Sequence, residues 1–140
     1  EAHYSLGVIY SRLGFTGVAL PHYAQAAQIN PRHVQALNNL GNIYFRGGYL
    51  DQAVAAYSQI IQQDAEHTAA FAALGQVYLN QQRTDEAITM LNRALALDEN
   101  WLGAHQALSE AYKRLGQIAK SEEHKRIANE LIASRKKNNE

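Results

Sequence analysis

Residues 36–48 read ALNNLGNIYFRGG, and the leucine, glycine and tyrosine of this stretch recur along the chain at one fixed spacing. That spacing is 34 residues, the separation between Leu6 and Leu40. The recurring positions are Leu6, Leu40, Leu74 and Leu108; Gly7, Gly41 and Gly75; and Tyr10, Tyr44, Tyr78 and Tyr112. A constant period of this length predicts an array of similar structural units stacked on one another.

The composition is that of an ordinary soluble domain: 140 residues, of which 46% are hydrophobic. Thirteen lysines and arginines balance thirteen aspartates and glutamates, so no global charge attracts nucleic acid or an anionic membrane. No apolar run is long enough to suggest membrane insertion. The absence of cysteine excludes disulfides, thiolate metal sites and a cysteine nucleophile. No cofactor is expected, and the compartment stays open: the cytoplasm is slightly favoured, and a periplasmic or membrane-tethered parent protein is an alternative.

Each repeat contains two amphipathic helices. Leu6 and Tyr10 lie on one helical face, and after Gly14 a second apolar stripe begins at Ala19. Gly14 can adopt the positive φ that ends a helix, and Thr16 is expected to cap the next one. Thr84 is expected to cap the second helix of the third repeat in the same way. The chain is therefore predicted to be all-α, with repeats at about 1–33, 34–67, 68–101 and 102–134.

The last repeat departs from the pattern in its second helix, where Ser121 and Lys125 occupy the small and aromatic positions. Charged residues coat most of this helix, which is typical of a terminal cap. Residues 1–134 are thus predicted to form one solenoid, followed by a flexible basic tail at 135–140. Because the chain lacks an initiator methionine and enters a helical pattern at once, we interpret it as a fragment of a longer protein.

This pattern resembles the tetratricopeptide repeat: Leu-Gly and Tyr in a first helix, then two small residues flanking an aromatic one in a second helix. The resemblance covers essentially the whole chain and implies a right-handed α-solenoid of four helix pairs. It also implies a non-catalytic scaffold for protein–protein interaction. The departures from the family pattern are Ala65 and Glu99 at the proline position, Gln82 at the turn glycine, Leu91 at an aromatic position and Ser109 at the helix glycine.

The repeated glycines predict close helix approach within each pair. Gly41 carries no side chain, so the partner helix can come near, and Ala53 is expected to form the other side of the contact. Gly7 with Ala19, and Gly75 with Ala87, are expected to behave in the same way.

Six histidines raise the question of a metal or catalytic site. No pair has the i, i+4 spacing of a helical zinc site, and no recognisable motif adds a carboxylate ligand. No phosphate loop, nucleophile elbow or paired-carboxylate motif appears either. The sequence therefore predicts no metal site and no enzyme activity.

In proteins of this family the first helices line a concave groove, which implies a peptide-binding face here. Asn and Gln each carry both a donor and an acceptor, which suits the backbone of a bound peptide. Ser11 and Ala72 lie on the same face. The groove residues expected are Tyr4, Val8, Asn38, Asn42, Phe45, Arg46, Gln76, Leu79, Asn80, Gln106, Glu110 and Lys113.

The partner class is thus a protein or peptide, held as an extended segment or a helix. The segment 38–42 is similar to the asparagine-bearing repeats of the O-linked N-acetylglucosamine transferase arm, but only one repeat here has it. The resemblance does not support a clamp for peptide C-termini. Asn42 fits such a clamp, but Asn38, Ala73, Gly103 and Ala107 stand where lysine, asparagine, lysine and arginine are needed. Two alternatives stay open: the docking arm of a larger enzyme, and self-assembly through the uncapped first helix.

Overall fold

The computed structural model describes residues 1–140, which form eight α-helices and no strand. The predicted all-α fold of paired helices is confirmed. The chain divides into two compact units, 1–65 and 66–140, called here the N-terminal and C-terminal units. The helices of the N-terminal unit are α1 Ala2–Arg12, α2 Thr16–Ile29, α3 Val34–Arg46 and α4 Leu50–Gln63; those of the C-terminal unit are α5 Thr68–Asn80, α6 Thr84–Leu97, α7 Leu102–Arg114 and α8 Ile118–Asn138.

The turn inside each helix pair has one recurring geometry. Its second residue adopts a left-handed backbone conformation, and the amide of the residue after it donates to a tyrosine carbonyl in the preceding helix. The left-handed residues are Gly14, Gly48, Gln82 and Gly116, and the hydrogen bonds run from Phe15 to Tyr10, Tyr49 to Tyr44, Arg83 to Tyr78 and Gln117 to Tyr112, at 2.8 to 2.9 Å. This arrangement ends the first helix in each repeat.

The same turn explains why the predicted threonine caps are wrong. Helices α2 and α6 begin at Thr16 and Thr84, but their N-cap residues are Phe15 and Arg83, and no side chain caps either helix. Because the residue after the left-handed position is fixed by its bond to the tyrosine carbonyl, it becomes the N-cap, and the threonine moves one place into the helix.

The core of the N-terminal unit is built around helical glycines that face tyrosine rings. A Cβ atom on Gly41 would lie 2.6 Å from two ring carbons of Tyr57, and one on Gly7 would lie 2.7 Å from Tyr23. The predicted close approach at these glycines is therefore present. The nearest neighbour differs from the predicted one: the Tyr57 ring, which reaches across from one turn beyond Ala53 on α4, lies closest to Gly41.

The C-terminal unit uses the same contact with an aliphatic partner. A Cβ atom on Gly75 would lie 2.5 Å from the Leu91 side chain and 3.2 Å from the carbonyl oxygen of Ala87. Leu91 and Leu108 are fully buried. The replacement of an aromatic residue by Leu91 thus preserves the packing of the repeat.

Helix α8 is the longest helix and the least buried one. Only Ser121 and Ala128 are buried among its residues. The segment 135–140, predicted to be a flexible tail, is helical through Asn138. Arg135, Lys136 and Lys137 occupy its last turn, where cationic side chains favour the helix by interacting with the negative end of its dipole.

Candidate interaction surface

A cavity of about 670 Å³ opens in the N-terminal unit between the first helix pair and α3. Tyr23 of α2 forms part of one wall and donates its hydroxyl proton to Ser11 Oγ of α1 at 3.2 Å. Helix α3 forms the facing wall with residues one turn apart. The lining residues are Ser11, Thr16, Gly17, Leu20, Tyr23, Asn39, Asn42, Ile43, Arg46, Gly47 and Tyr49.

The side chain of Asn42 is held in place by a hydrogen bond from the buried Tyr57. The Tyr57 hydroxyl donates to Asn42 Oδ1 at 2.6 Å. Burial raises the pKa of Tyr57 to about 12, against the opposing effect of the nearby Arg46 charge, so the phenol keeps its proton at neutral pH. Because Asn42 Oδ1 is used in this bond, the amide nitrogen of Asn42 presents its two hydrogens elsewhere.

The cavity is rich in hydrogen-bond donors and contains one charged group. Arg46 is exposed at its edge and forms no ion pair within the chain. No acidic side chain lines the cavity. The Asn39 side chain makes no hydrogen bond within the chain either. The lining therefore favours a ligand that offers carbonyl or carboxylate oxygens.

The other groove residues predicted for this unit lie outside the cavity lining. Tyr4 and Val8 are half-buried and pack against the core cluster of Ala19, Tyr23, Leu40 and Ala56. The Tyr4 ring also contacts the His33 ring at a centroid distance of 4.6 Å. Asn38 and Phe45 are half-buried. Of the six groove residues expected in this unit, the cavity brings together Asn42 and Arg46.

In the C-terminal unit, three predicted residues lie in one shallower cavity between α7 and α8. Gln106, Glu110 and Lys113 line it on the α7 side, and its volume is about 400 Å³. Glu110 also pairs with Arg114 at 3.0 Å. Gln76 and Asn80 lie elsewhere, on α5, with Gln76 Nε2 donating to Asn80 Oδ1 at 3.4 Å.

Leu79 cannot line a groove, and its prediction is wrong. Its side chain is 1% exposed and belongs to the core of the C-terminal unit. Its carbonyl oxygen accepts a hydrogen bond from the Arg114 guanidinium at 2.8 Å. The sequence placed Leu79 beside the packing positions, but α5 buries most of its apolar residues, including its neighbour Val77.

Sequence reasoning missed the cavity residues that come from second helices and turns, namely Thr16, Leu20 and Tyr49. It assigned the groove to first helices alone. The sequence did contain an indication that Tyr49 could line a surface site, because the repeat pattern assigns no packing role to a large aromatic residue directly after the turn glycine. Asn39 was also missed, although it directly follows Asn38, which was predicted to lie in the groove.

The histidines occupy defined positions. His33 and His67 cap α3 and α5, where their Nδ1 atoms accept from the amides of Ala36 and Ala70 at 3.4 and 3.1 Å. His3 and His22 lie with their Nδ1 atoms 3.3 Å apart. The chain contains no group of three or more metal-ligating side chains.

None of the helices has both the length and the apolar character that are required to cross a membrane.

The helices occur in pairs that repeat every 34 residues and pack through small and large apolar residues. This architecture is that of a helical-repeat protein, a class whose extended surfaces bind other proteins. Two sequence profiles described as tetratricopeptide repeat match residues 4–68 and 48–109. Together they span residues 4–109. The chain belongs to the tetratricopeptide repeat family, so the predicted resemblance is confirmed. Members of this family are protein-interaction scaffolds and are typically non-catalytic.

Solved structures of MamA share this fold. A crystal structure of MamA superposes with a TM-score of 0.88 at 21% identity, covering 96% of this chain and 79% of that one. MamA 41-end from Desulfovibrio magneticus RS-1 gives 0.85 at 20% identity, covering 94% and 75%. MamA AMB-1 gives 0.80 at 26% identity, covering 92% and 76%. A comparison with curated protein sequences finds no match.

Proposed function

We propose that this protein is a non-catalytic interaction scaffold whose N-terminal unit binds an acidic peptide segment in the cavity between α2 and α3. The observation that supports this proposal is the unpaired Arg46 guanidinium at the edge of a cavity with no acidic lining residue. An arginine can hold a carboxylate through two parallel hydrogen bonds.

The neighbouring side chains suit the backbone of such a segment. The Asn42 amide nitrogen and the Asn39 side chain can pair with peptide carbonyl and amide groups. Leu20 and Ile43 offer apolar surface beside them. This combination resembles a mode of recognition in which main-chain hydrogen bonds give affinity and side-chain contacts give specificity.

The binding proposal is tested by replacing Arg46→Gln. We expect the variant to bind a fluorescein-labelled extended peptide with two glutamates at least tenfold more weakly than the unchanged protein, because a hydrogen bond to a charged group contributes about 1.5–3 kcal/mol. Fluorescence anisotropy measures the dissociation constants. Two further variants compare positions within α3. Asn42→Ala should weaken binding because Asn42 lines the cavity, and Phe45→Ala should have a smaller effect because Phe45 lies outside the lining.

Arg32→Gln is the matched control, since Arg32 is an exposed arginine of the same unit that lies outside the cavity. It should bind like the unchanged protein. A peptide with glutamines in place of the glutamates should bind weakly to all variants. Equal affinity for both peptides, or unchanged binding by Arg46→Gln, would refute the proposal.

A second candidate function is self-association through the outer face of α1. Leu6, Ile9 and Leu13 lie three and four residues apart and are 38%, 53% and 62% exposed. The corresponding residues of the second repeat, Leu40 and Ile43, belong to the cluster that packs with α2. An exposed apolar stripe at a position used elsewhere for stacking favours a second copy of the chain as its partner.

Self-association is tested by sedimentation velocity over a range of protein concentrations. We expect the unchanged protein to form larger species as concentration rises, and Ile9→Glu to remain monomeric because a buried carboxylate would cost more than the stripe contributes. Ala119→Glu, which adds the same single negative charge at an exposed residue of α8, serves as the control for the change in charge. A protein that stays monomeric throughout the range would exclude this candidate.

A further inference from the structure

The seam between α7 and α8 has two histidines at positions that are apolar in the second repeat. His105 and His124 meet across it with their Nδ1 atoms 2.9 Å apart. One turn away, Ser121 Oγ donates to the carbonyl oxygen of Ser109 at 2.8 Å. Counting 68 residues back along the repeats, the positions of the two histidines hold Leu37 and Ala56, which are buried and cannot titrate.

The hydrogen bonds around this pair leave room for a single proton between the two rings. His105 is 5% exposed, and its Nε2 lies 2.8 Å from the carbonyl oxygen of Glu99. A carbonyl only accepts, so Nε2 carries a hydrogen, and Nδ1 of the neutral ring has a free lone pair. His124 Nδ1 must therefore donate to His105 Nδ1. If both rings were protonated, two N–H groups would point at each other across 2.9 Å.

Few charged groups surround the pair. The Tyr112 ring of α7 stacks on the His124 ring with centroids 5.7 Å apart, and Lys120 of α8 lies over Tyr112, with its Nζ 5.2 Å from the ring centroid. Glu123 of α8 favours the protonated form of His124. No side chain of α5 or α6 hydrogen-bonds or ion-pairs with either histidine ring. Glu123 is thus the anion that offsets positive charge on His124, and its effect is smaller than that of burial and of repulsion from His105.

Helix α8 has fewer fully buried residues than the second helices of the other repeats. Its two buried residues, Ser121 and Ala128, are both small. Its larger apolar residues Ile127 and Leu131 are only half-buried. Ile118 and Ile132 are exposed at 57% and 39%. An element with few buried apolar contacts is the kind that opens at low free-energy cost while the remainder of a protein stays folded.

We propose that the His105–His124 pair is a proton-sensitive latch that holds α8 against α7 at neutral pH and releases it when both rings become protonated. Release of α8 removes one wall of the cavity that contains Gln106, Lys113 and Lys125. The latch thus makes access to the surface between α7 and α8 depend on pH. The cavity beside Arg46, which is lined by α1, α2, α3 and the turn before α4, contains no histidine in its lining.

Whether acid releases or holds α8 depends on how folding changes the pKa of His124. Its pKa is lowered by burial and, to a lesser extent, by repulsion from His105, while Glu123 acts in the opposite direction. A histidine whose folded pKa lies below its unfolded value stabilises the folded state above the unfolded pKa of about 6.5. That stability is lost as the pH falls below this value. Release of α8 is therefore expected on acidification.

Hydrogen exchange of the α8 amides tests the latch in the intact chain. Protection factors, corrected for intrinsic exchange, are measured at about pH 7.5 and at about pH 5, which lie on either side of the ordinary histidine pKa. We expect α8 protection to fall severalfold on acidification, because the folded state binds the second proton less readily than the unfolded state does. Protection in α4, whose seam with α3 contains Leu37 and Ala56, should change less than twofold.

The double variant His105→Leu/His124→Ala is the matched control, because it installs the residues of the second repeat. Its α8 protection should lose the pH dependence. His124→Gln is a second variant, which keeps a donor toward His105 but removes one titrating ring, and it should also respond much less to acid. Equal loss of α8 protection in the unchanged protein and in either folded variant, or no loss in the unchanged protein, would overturn the proposal.

Discussion

Gly41→Leu is expected to lower the free energy of unfolding by about 3 kcal/mol, the upper part of the range for overpacked cores. A Cβ at this position would already lie 2.6 Å from the Tyr57 ring. The ring has little freedom to move, because it is 1% exposed and its hydroxyl is bonded to Asn42. The leucine side chain would therefore force α3 and α4 apart.

Urea unfolding followed by circular dichroism measures this effect. Gly17→Leu is the matched control: Gly17 lies in α2, and a Cβ there would meet no atom within 4 Å. That variant should keep its stability or gain slightly, since glycine is unfavourable in a helix by about 0.5–1 kcal/mol relative to alanine. Similar unfolding midpoints for the two variants would show that the contact between Gly41 and Tyr57 is not tightly packed.

Tyr57→Ala is expected to cost about 3–5 kcal/mol, the usual loss when a large buried ring is truncated. The change leaves a cavity above Gly41, because the three atoms nearest to an ideal Cβ there all belong to the Tyr57 ring. It also removes the donor to Asn42 Oδ1. Thermal and urea unfolding should both show the loss, with the folded baseline of the circular dichroism spectrum unchanged.

Tyr57→Leu distinguishes the filling of space from the hydrogen bond. The third repeat already pairs a glycine with Leu91 at this position, so the leucine variant should lose clearly less stability than the alanine variant, because it leaves a smaller cavity. If alanine and leucine at position 57 were equally destabilising, the hydroxyl bond rather than the ring would be the main contribution of Tyr57.

The fold could be predicted from the sequence because the same residue pattern occurs in every repeat. One Leu-Gly-Tyr set has little meaning by itself, but its recurrence every 34 residues fixes the helix pair, the turn and the packing glycine together. The nearest neighbour of a packing position was less predictable, because it depends on side-chain reach. Ala53 was expected opposite Gly41 because of its size, whereas a tyrosine one turn further along extends over the glycine.

The candidate site was less predictable, because a repeat pattern shows which residues pack and not how deeply their neighbours are buried. Asn42 and Arg46 were found because they follow the packing positions on a polar face. Leu79 has the same relation to its own repeat but is buried by its helix neighbours. The His105–His124 contact could not be predicted from the spacing of residues along one helix. The two histidines are 19 residues apart, on different helices, and meet only when α7 and α8 pack together.

The turns have a consequence for how quickly the chain reaches its native state. Each of the four turns is fixed by a left-handed residue and a hydrogen bond that spans only five positions, such as that from Tyr49 to Tyr44. Helices within each hairpin are also direct neighbours in sequence. Chains dominated by such short-range contacts lose little loop entropy before contacts form, and they fold in microseconds to milliseconds. Synthesis on the ribosome therefore allows the first hairpin to close long before the last helix is made.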